Sequence, residues 1–232
     1  MNPSILVIDK PIGFTSHDVV NIVRRKTGER RVGHAGTLDP LATGILIVLV
    51  GKEATKRQAE FMGLPKEYET AITCGETSAT DDAEGPLTPK ATLQQLMDLK
   101  KEDVLRVLPQ FMGTIQQRPP IYSAIKKDGQ PLYKKARRGE IAATDVAPRS
   151  VTIDDIELIR FIPATPPFPP LIRLRISCQK GVYIRSLARD IGEALGVGAY
   201  MSELKRTAVG PYTLPKAMTL DTFEKQWNSE KK

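Results

Sequence analysis

The chain has 232 residues, 41% of them hydrophobic and 26% charged, enough apolar material for one large folded domain or two small ones. Lysine and arginine number 34 against 27 acidic residues, and the net charge of +7 suits a polyanionic partner. Cys74 and Cys178 lie far apart with no histidine pair at metal-ligand spacing, and no apolar run is long enough to cross a bilayer. Met1-Asn-Pro-Ser runs directly into strand-like residues, so no signal peptide is expected and the protein is expected to be cytoplasmic.

Ile5–Ile8 reads as a short buried strand left through the loop Asp9-Lys-Pro-Ile-Gly-Phe14. A helix then starts at Thr15-Ser-His-Asp18, where Thr15 and Asp18 have capping-box spacing. Val19, Ile22 and Val23 give it an apolar face and Gly28 a stop. Arg31–Gly44 is turn-rich, with Asp39 next to Pro40, which restricts the aspartate to extended or turn backbone. It feeds the apolar run Ile45–Val50, read as a buried strand, and Gly51–Gly63 follows as one helix. Lys66–Gly75 alternates as a strand, with Tyr68, Thr70, Ile72 and Cys74 on its inward side. Thr77–Pro89 is polar and reads as an exposed loop. Its Asp81-Asp82 pair lacks a second cluster of metal ligands.

Two short amphipathic helices are predicted over Thr92–Leu99 and Lys101–Leu108, a strand over Phe111–Gln117, and more extended structure over Ile121–Ile125 after Arg118-Pro-Pro120. Lys126-Lys-Asp-Gly contains a turn and leads into Leu132–Gly139, a short helix whose surface is mostly cationic and buries little. Arg149–Ile162 and Leu171–Cys178 alternate as a hairpin joined by the proline-rich Pro163–Pro170. From Val182 to Leu195, Ile184, Leu187, Ala188, Ile191 and Leu195 recur at helical spacing. Arg185 sits in the first turn of that helix, where the dipole favours anions, so a nearby carboxylate is expected to relieve it. Ser202–Pro211 is a further unit and Thr219–Trp227 a terminal helix. With no repeat and no long linker, one continuous domain is expected.

Basic residues recur as clusters at Arg24-Arg25-Lys26, Arg30-Arg31, Lys126-Lys127, Lys134-Lys135, Arg137-Arg138 and Lys205-Arg206. Together they point toward phosphate contacts.

Five segments, in order along nearly the whole chain, then carry a resemblance: Asp9–Ser16, Gly33–Gly44, Lys66-Glu-Tyr68, Tyr122–Lys126 and Cys178–Arg185, ending with Leu204-Lys-Arg206. The chain resembles the TruB family of tRNA pseudouridine synthases. The resemblance implies a mixed α/β (α+β) pseudouridine synthase fold with a central, largely antiparallel bent sheet flanked by helices and loops. It implies isomerisation of uridine 55 in the T-arm loop of tRNA to pseudouridine, without cofactor, metal or energy source. It assigns catalysis to Asp39, stacking on the base to Tyr68, and occupation or stabilisation of the opened loop to His34. Arg185 would pair with Asp39, keeping it ionised and aimed. Tyr183 and Leu204 would line the base pocket, and Lys10 would support the site or a nearby phosphate. The basic insertion at about 122–149, with Lys126, Lys127, Lys134, Lys135, Arg137 and Arg138, matches the part that closes over the RNA arm.

The chemistry asks for the same parts. Exchanging the bond from ribose C1′ to N1 for one to C5 needs a nucleophile or base that does not leave, and an ionised carboxylate serves. The target base must also be extruded from its stack, at a cost of a few kcal/mol.

Only about twenty residues follow Pro211, too few for a C-terminal RNA-binding domain of PUA type. The expected partner is tRNA, bound by a monomer with no obligate protein partner and no membrane. Two other readings are a tRNA-folding factor that needs no chemistry, against which the intact acid, arginine and tyrosine positions argue, and a guide-RNA-dependent enzyme, against which the missing domain argues.

Overall fold

The computed structural model describes residues 4–127 and 129–229; Asp128 of the expected turn, and the chain ends, lie outside them. The chain forms two compact units, Met1–Glu69 with Leu204–Lys232, and Thr70–Glu203. The first begins with strand β1 (Ser4–Lys10) and helix α1 (Ser16–Thr27). Thr15 caps α1, its hydroxyl accepting from Asp18 N while the Asp18 carboxylate accepts from Thr15 N, and Gly28 ends it in the left-handed conformation. Strands β2 (Val32–Ala35) and β3 (Thr43–Val50) follow. The expected single helix is two, α2 (Lys52–Lys56) and α3 (Gln58–Gly63), because Arg57 N–H closes a tight turn onto Ala54 O and the helix restarts after it. Strand β4 (Lys66–Cys74) carries the chain into the second unit.

There, β5 (Glu76–Ser78) and β6 (Leu87–Pro89) form a small hairpin in place of the expected open loop. Helices α4 (Leu93–Asp98) and α5 (Lys101–Val107) come next, then β7 (Gly113–Gln117), entered through a helical turn at Leu108–Phe111. Ile121–Ile125 is not a strand. Its carbonyls are used elsewhere: Ser123 O accepts from Tyr133 N and Ile125 O from Leu132 N. Strands β8 (Lys126–Lys127) and β9 (Gln130–Pro131) make a two-residue hairpin before helix α6 (Leu132–Arg137), which is anchored by the buried Leu132.

The hairpin of β10 (Arg149–Ile162) and β11 (Leu171–Cys178) forms as expected. A bulge between Ile153 and Asp155 moves the buried set of β10 from Val151 and Ile153 to Ile156, which keeps the apolar side facing inward as the strand twists. Helix α7 (Ile184–Ala194) buries Ile184, Leu187, Ala188 and Ile191, the face its spacing predicts. Gly192 lets α7 lie against the next strand, since a Cβ there would sit 2.3 Å from Ala199 N. That strand, β12 (Ala199–Val209), returns to the first unit, followed by β13 (Tyr212–Thr213), β14 (Met218–Thr219) and helix α8 (Leu220–Ser229).

In the first unit β3 is the organising strand. Along one edge it pairs antiparallel with β1, from Ser4↔Val50 to Lys10↔Gly44; along the other it pairs antiparallel with β2 and, at Thr43 and Gly44, parallel with β12. Its unbroken apolar run has a simple cause. Leu46, Val48 and Val50 enter one core with Ile8, Val19, Val23 and Phe223, whereas Ile45, Ile47 and Leu49 enter another with Ala54, Phe61 and Val209. A strand covered on both faces has no polar face to offer. In the second unit the strands run β4, β11, β10, β7, and Ile172, Leu174, Ile176 and Cys178 are the buried side of β11. Replacing the α1 cap, Thr15→Ala, should lower the unfolding free energy by about 1 kcal/mol in denaturant titrations while leaving α1 in place.

Candidate active site

Residues 36–42 cross from the end of β2 to the start of β3, and Asp39 is half-buried within them. Both neighbours of Asp39 are tied to residues between the end of β1 and the first residue of α1. Ser16 Oγ donates to Leu38 O at 3.0 Å and accepts from Leu38 N at 2.8 Å. Pro40 O accepts from Gly13 N at 2.9 Å and from Lys10 Nζ at 3.4 Å. Lys10 is wholly buried, and its ammonium also donates to Phe14 O at 2.6 Å and Pro11 O at 3.1 Å. Backbone carbonyls thus take the place of the water that a buried cation gives up. Lys10 therefore ties the Asp39 loop to the segment that follows β1.

Arg206 of β12 holds the two ends of the same loop. It is 1% exposed, and its guanidinium donates to Ile45 O at 2.7 Å and to Gly36 O at 3.0 Å. This corrects the expectation that Arg206, with Lys205, is a phosphate contact: the guanidinium is spent on the interior. Gly44 makes the arrangement possible: its φ is +95°, and a Cβ would lie 2.2 Å from Arg206 O. Four anchors from β1, the start of α1 and β12 hold the loop, so the aspartate is presented on backbone that cannot relax freely.

The other candidates of this unit are His34 in β2, Tyr68 in β4 and Leu204 in β12, the last two 8% exposed. His34 O accepts from Gln58 Nε2, while its buried Nδ1 has no hydrogen-bond partner among the described residues. Burial, assisted by the charge of Arg206 and by His17, holds the His34 imidazolium below the ordinary histidine range, so the ring is neutral near pH 7.

In the second unit Tyr183 occupies the N-cap position of α7. The buried Gln117 clamps its backbone, accepting from Tyr183 N at 2.8 Å and donating to Tyr183 O at 3.1 Å. Arg185, 6% exposed, has the carboxylate its place on the helix calls for. Asp82 Oδ2 lies 3.3 Å from Arg185 Nη1, which also donates to Thr80 O; Nη2 donates to Tyr122 O. One turn later, Arg189 pairs with Asp81 at 2.8 Å and with Asp190 at 2.8 Å. Asp81 and Asp82 are buried, not exposed as expected, because two arginines of one helix neutralise them. Among the described residues no group of three histidine, cysteine, aspartate or glutamate side chains is placed to hold a metal ion.

Of the basic insertion, Lys126, Lys134, Arg137 and Arg138 are exposed and Lys135 half-buried. Arg138 pairs with Glu140, and the Arg137 guanidinium lies 5.7 Å from the Tyr133 ring centre. Lys127 lies in β8. Sequence reasoning missed Ser16, Arg206, Gln117 and Asp82. Their only signal was the motif context of the first two, since a hydroxyl at a helix start and a basic pair both read as ordinary surface residues.

The mixed sheet flanked by helices is the fold class of a pseudouridine synthase. The solved Cbf5-Nop10-Gar1 complex contains a chain that superposes with a TM-score of 0.74 at 28% identity, over 98% of this chain and 55% of that one. An archaeal Nop10-Cbf5 complex matches with a TM-score of 0.68 at 25% identity and the same coverage, so this chain spans about half the length of these two solved chains. Residues 24–184 match the TruB family pseudouridylate synthase N-terminal domain, and residues 185–232 match the tRNA pseudouridylate synthase B C-terminal domain. The tRNA pseudouridine synthase B of Pseudomonas fluorescens Pf0-1 is 46% identical over 220 residues, covering 95% of this chain and 68% of that protein. The namesake from Dechloromonas aromatica is 44% identical, covering 95% and 69%. The chain belongs to the TruB family.

Two outcomes test this geometry. Arg206→Met should slow turnover by at least about tenfold and lower stability by about 2 kcal/mol or more, because it leaves Gly36 O and Ile45 O without their donor. Enzyme assays and denaturant titration measure the two effects. Burial pushes the Asp81 carboxyl up to about 6 against the pull of Arg189 and Arg185, so the folded protein keeps this proton to higher pH than the unfolded chain. The stabilisation is complete below 3.8, the ordinary value for an aspartate, and is lost as pH rises through about 6. The stability of the wild type minus that of Asp81→Asn should therefore fall across that window, whereas a flat difference would contradict the shift.

Proposed function

We propose that this chain converts uridine 55 of the tRNA T-arm loop to pseudouridine with Asp39 as its catalytic carboxylate, acting on the flipped-out nucleotide without a cofactor. Membership of the TruB family makes the chain a tRNA pseudouridine synthase, an isomerase. The observation that carries the assignment of Asp39 is the set of anchors on its loop. Buried Lys10, Ser16 and Arg206 serve to fix a segment whose half-buried carboxylate is its only ionisable side chain.

In this reading the nucleotide leaves its stack, and the unstacking cost is met by contacts in the pocket. Asp39 acts on the sugar or the base, the bond from C1′ to N1 breaks, the uracil turns, and C5 takes the place of N1. The proton on C5 is then lost and N1 gains one, so the product is an isomer of the substrate. Tyr68, Tyr183 and Leu204 receive the base, and neutral His34 stands where the loop was opened. Arg185 pairs with Asp39 to keep it ionised and directed, while Asp82 shares the charge of that guanidinium. The cationic insertion takes the RNA backbone. The chain works on free tRNA as a monomer, without an obligate protein partner, in the cytoplasm. Among the described residues no helix is long and apolar enough to cross a membrane.

Asp39→Asn is the direct test. It keeps the size of the side chain but removes the nucleophile and base, and single-turnover formation of pseudouridine on a tRNA transcript, followed by primer extension or mass analysis, should drop by at least about a thousandfold. Binding of tRNA should survive. Full single-turnover activity in that variant would remove Asp39 from the role.

A further inference from the structure

The basic insertion leaves and rejoins the second unit at adjacent strand ends, where Gln117 of β7 is paired with Arg149 of β10. Everything from 118 to 148 is therefore a long excursion closed at its neck. A closed loop of this length retains much conformational freedom unless something holds its two legs together. The residue immediately beyond the last strand pair on the outgoing leg is Arg118. Its Nη1 donates to Val146 O at 2.6 Å and to Thr144 O at 3.2 Å, both on the returning leg. Those carbonyls flank the end of a short helical turn, Ala143–Asp145, where a cation suits the exposed carbonyl groups.

The backbone of the same residue is held from the other side. Arg118 O accepts from Arg189 Nη2 at 3.0 Å, and Arg189 is itself fixed by Asp81 and Asp190. Four residues earlier on α7, Arg185 donates to Tyr122 O. Residues 185 and 189 lie on one face of α7, so the helix that positions the candidate active-site arginine also grips the outgoing leg at two carbonyls. Pro119 and Pro120, buried between those two points, stiffen the leg.

We propose that Arg118 is a positioning residue for RNA binding: a clasp that joins both legs of the basic insertion at its neck and holds them to α7. Its effect falls on tRNA affinity, not on the chemical step. The inference rests on the reading of the insertion as an RNA contact, and the test separates the two.

Arg118→Met keeps the stem and removes the donors, and Arg118→Lys retains one charged donor. In the free protein, hydrogen exchange of the amides at 142–146 should quicken in Arg118→Met while β10 and β11 exchange as before. The dissociation constant for tRNA should rise about tenfold, the effect of losing charge-assisted hydrogen bonds, with the single-turnover rate at saturating tRNA unchanged. Arg118→Lys should fall between. Unchanged exchange overturns the clasp, and quickened exchange with unchanged affinity overturns its role in binding. The double variant Lys134→Gln with Lys135→Gln locates a failure. If it too binds tRNA as the wild type does, the RNA-contact reading of the insertion has failed; if it binds weakly while Arg118→Met does not, the clasp alone has.

Discussion

Two buried cations, Lys10 and Arg206, govern the candidate site through hydrogen bonds to the backbone of the Asp39 loop and its neighbours. Their donors go to main-chain carbonyls of the segments they hold: Pro11, Phe14 and Pro40 for the lysine, Gly36 and Ile45 for the arginine. A buried charge is costly, and it persists only where its donors are met. Each cation thus makes the fold specific: if the loop moves, an ammonium or guanidinium is left in the interior without acceptors. The loop around Asp39 inherits that constraint, which is what the proposed role of that carboxylate requires.

The geometry of β3 follows from the same need. Its first residues, Thr43 and Gly44, pair with Lys205 and Arg206 of β12, and Gly44 is the point at which the two backbones come too close for any side chain. Further along, both faces of β3 are sealed by core. The strand is immobile at one end because it is buried and at the other because an arginine spans it. The Asp39 loop enters the strand at that second end.

The second unit solves a different problem with the same chemistry. Helix α7 carries Arg185 and Arg189 one turn apart, and their acids come from the turn between β5 and β6. These bidentate groups also reach the carbonyls of the outgoing leg of the insertion. A single helix therefore organises the acidic turn, the N-cap tyrosine held by Gln117, and the neck of the cationic segment. In water such ion pairs add little, but between desolvated groups with further hydrogen bonds they specify one arrangement.

Several features needed nothing but the sequence. Local signals determined the cap and stop of α1, the β10–β11 hairpin, the inward face of α7 and the buried run of β3, because each depends on the spacing of neighbours along the chain. The order of motifs was enough to indicate the family. The sequence also showed that Arg185, at a helix start, called for an acid, but it could not say that Asp82 would answer from about a hundred residues away. Nor could it turn Asp81 and Asp82 from an exposed loop into a buried one, take Arg206 out of a surface cluster, or give Gln117 its grip on Tyr183. Those assignments depend on which distant carbonyls and carboxylates meet a side chain once the strands have paired. Only tertiary structure brings such partners within hydrogen-bonding distance, so it alone decides whether a charge stands in water or holds the interior together.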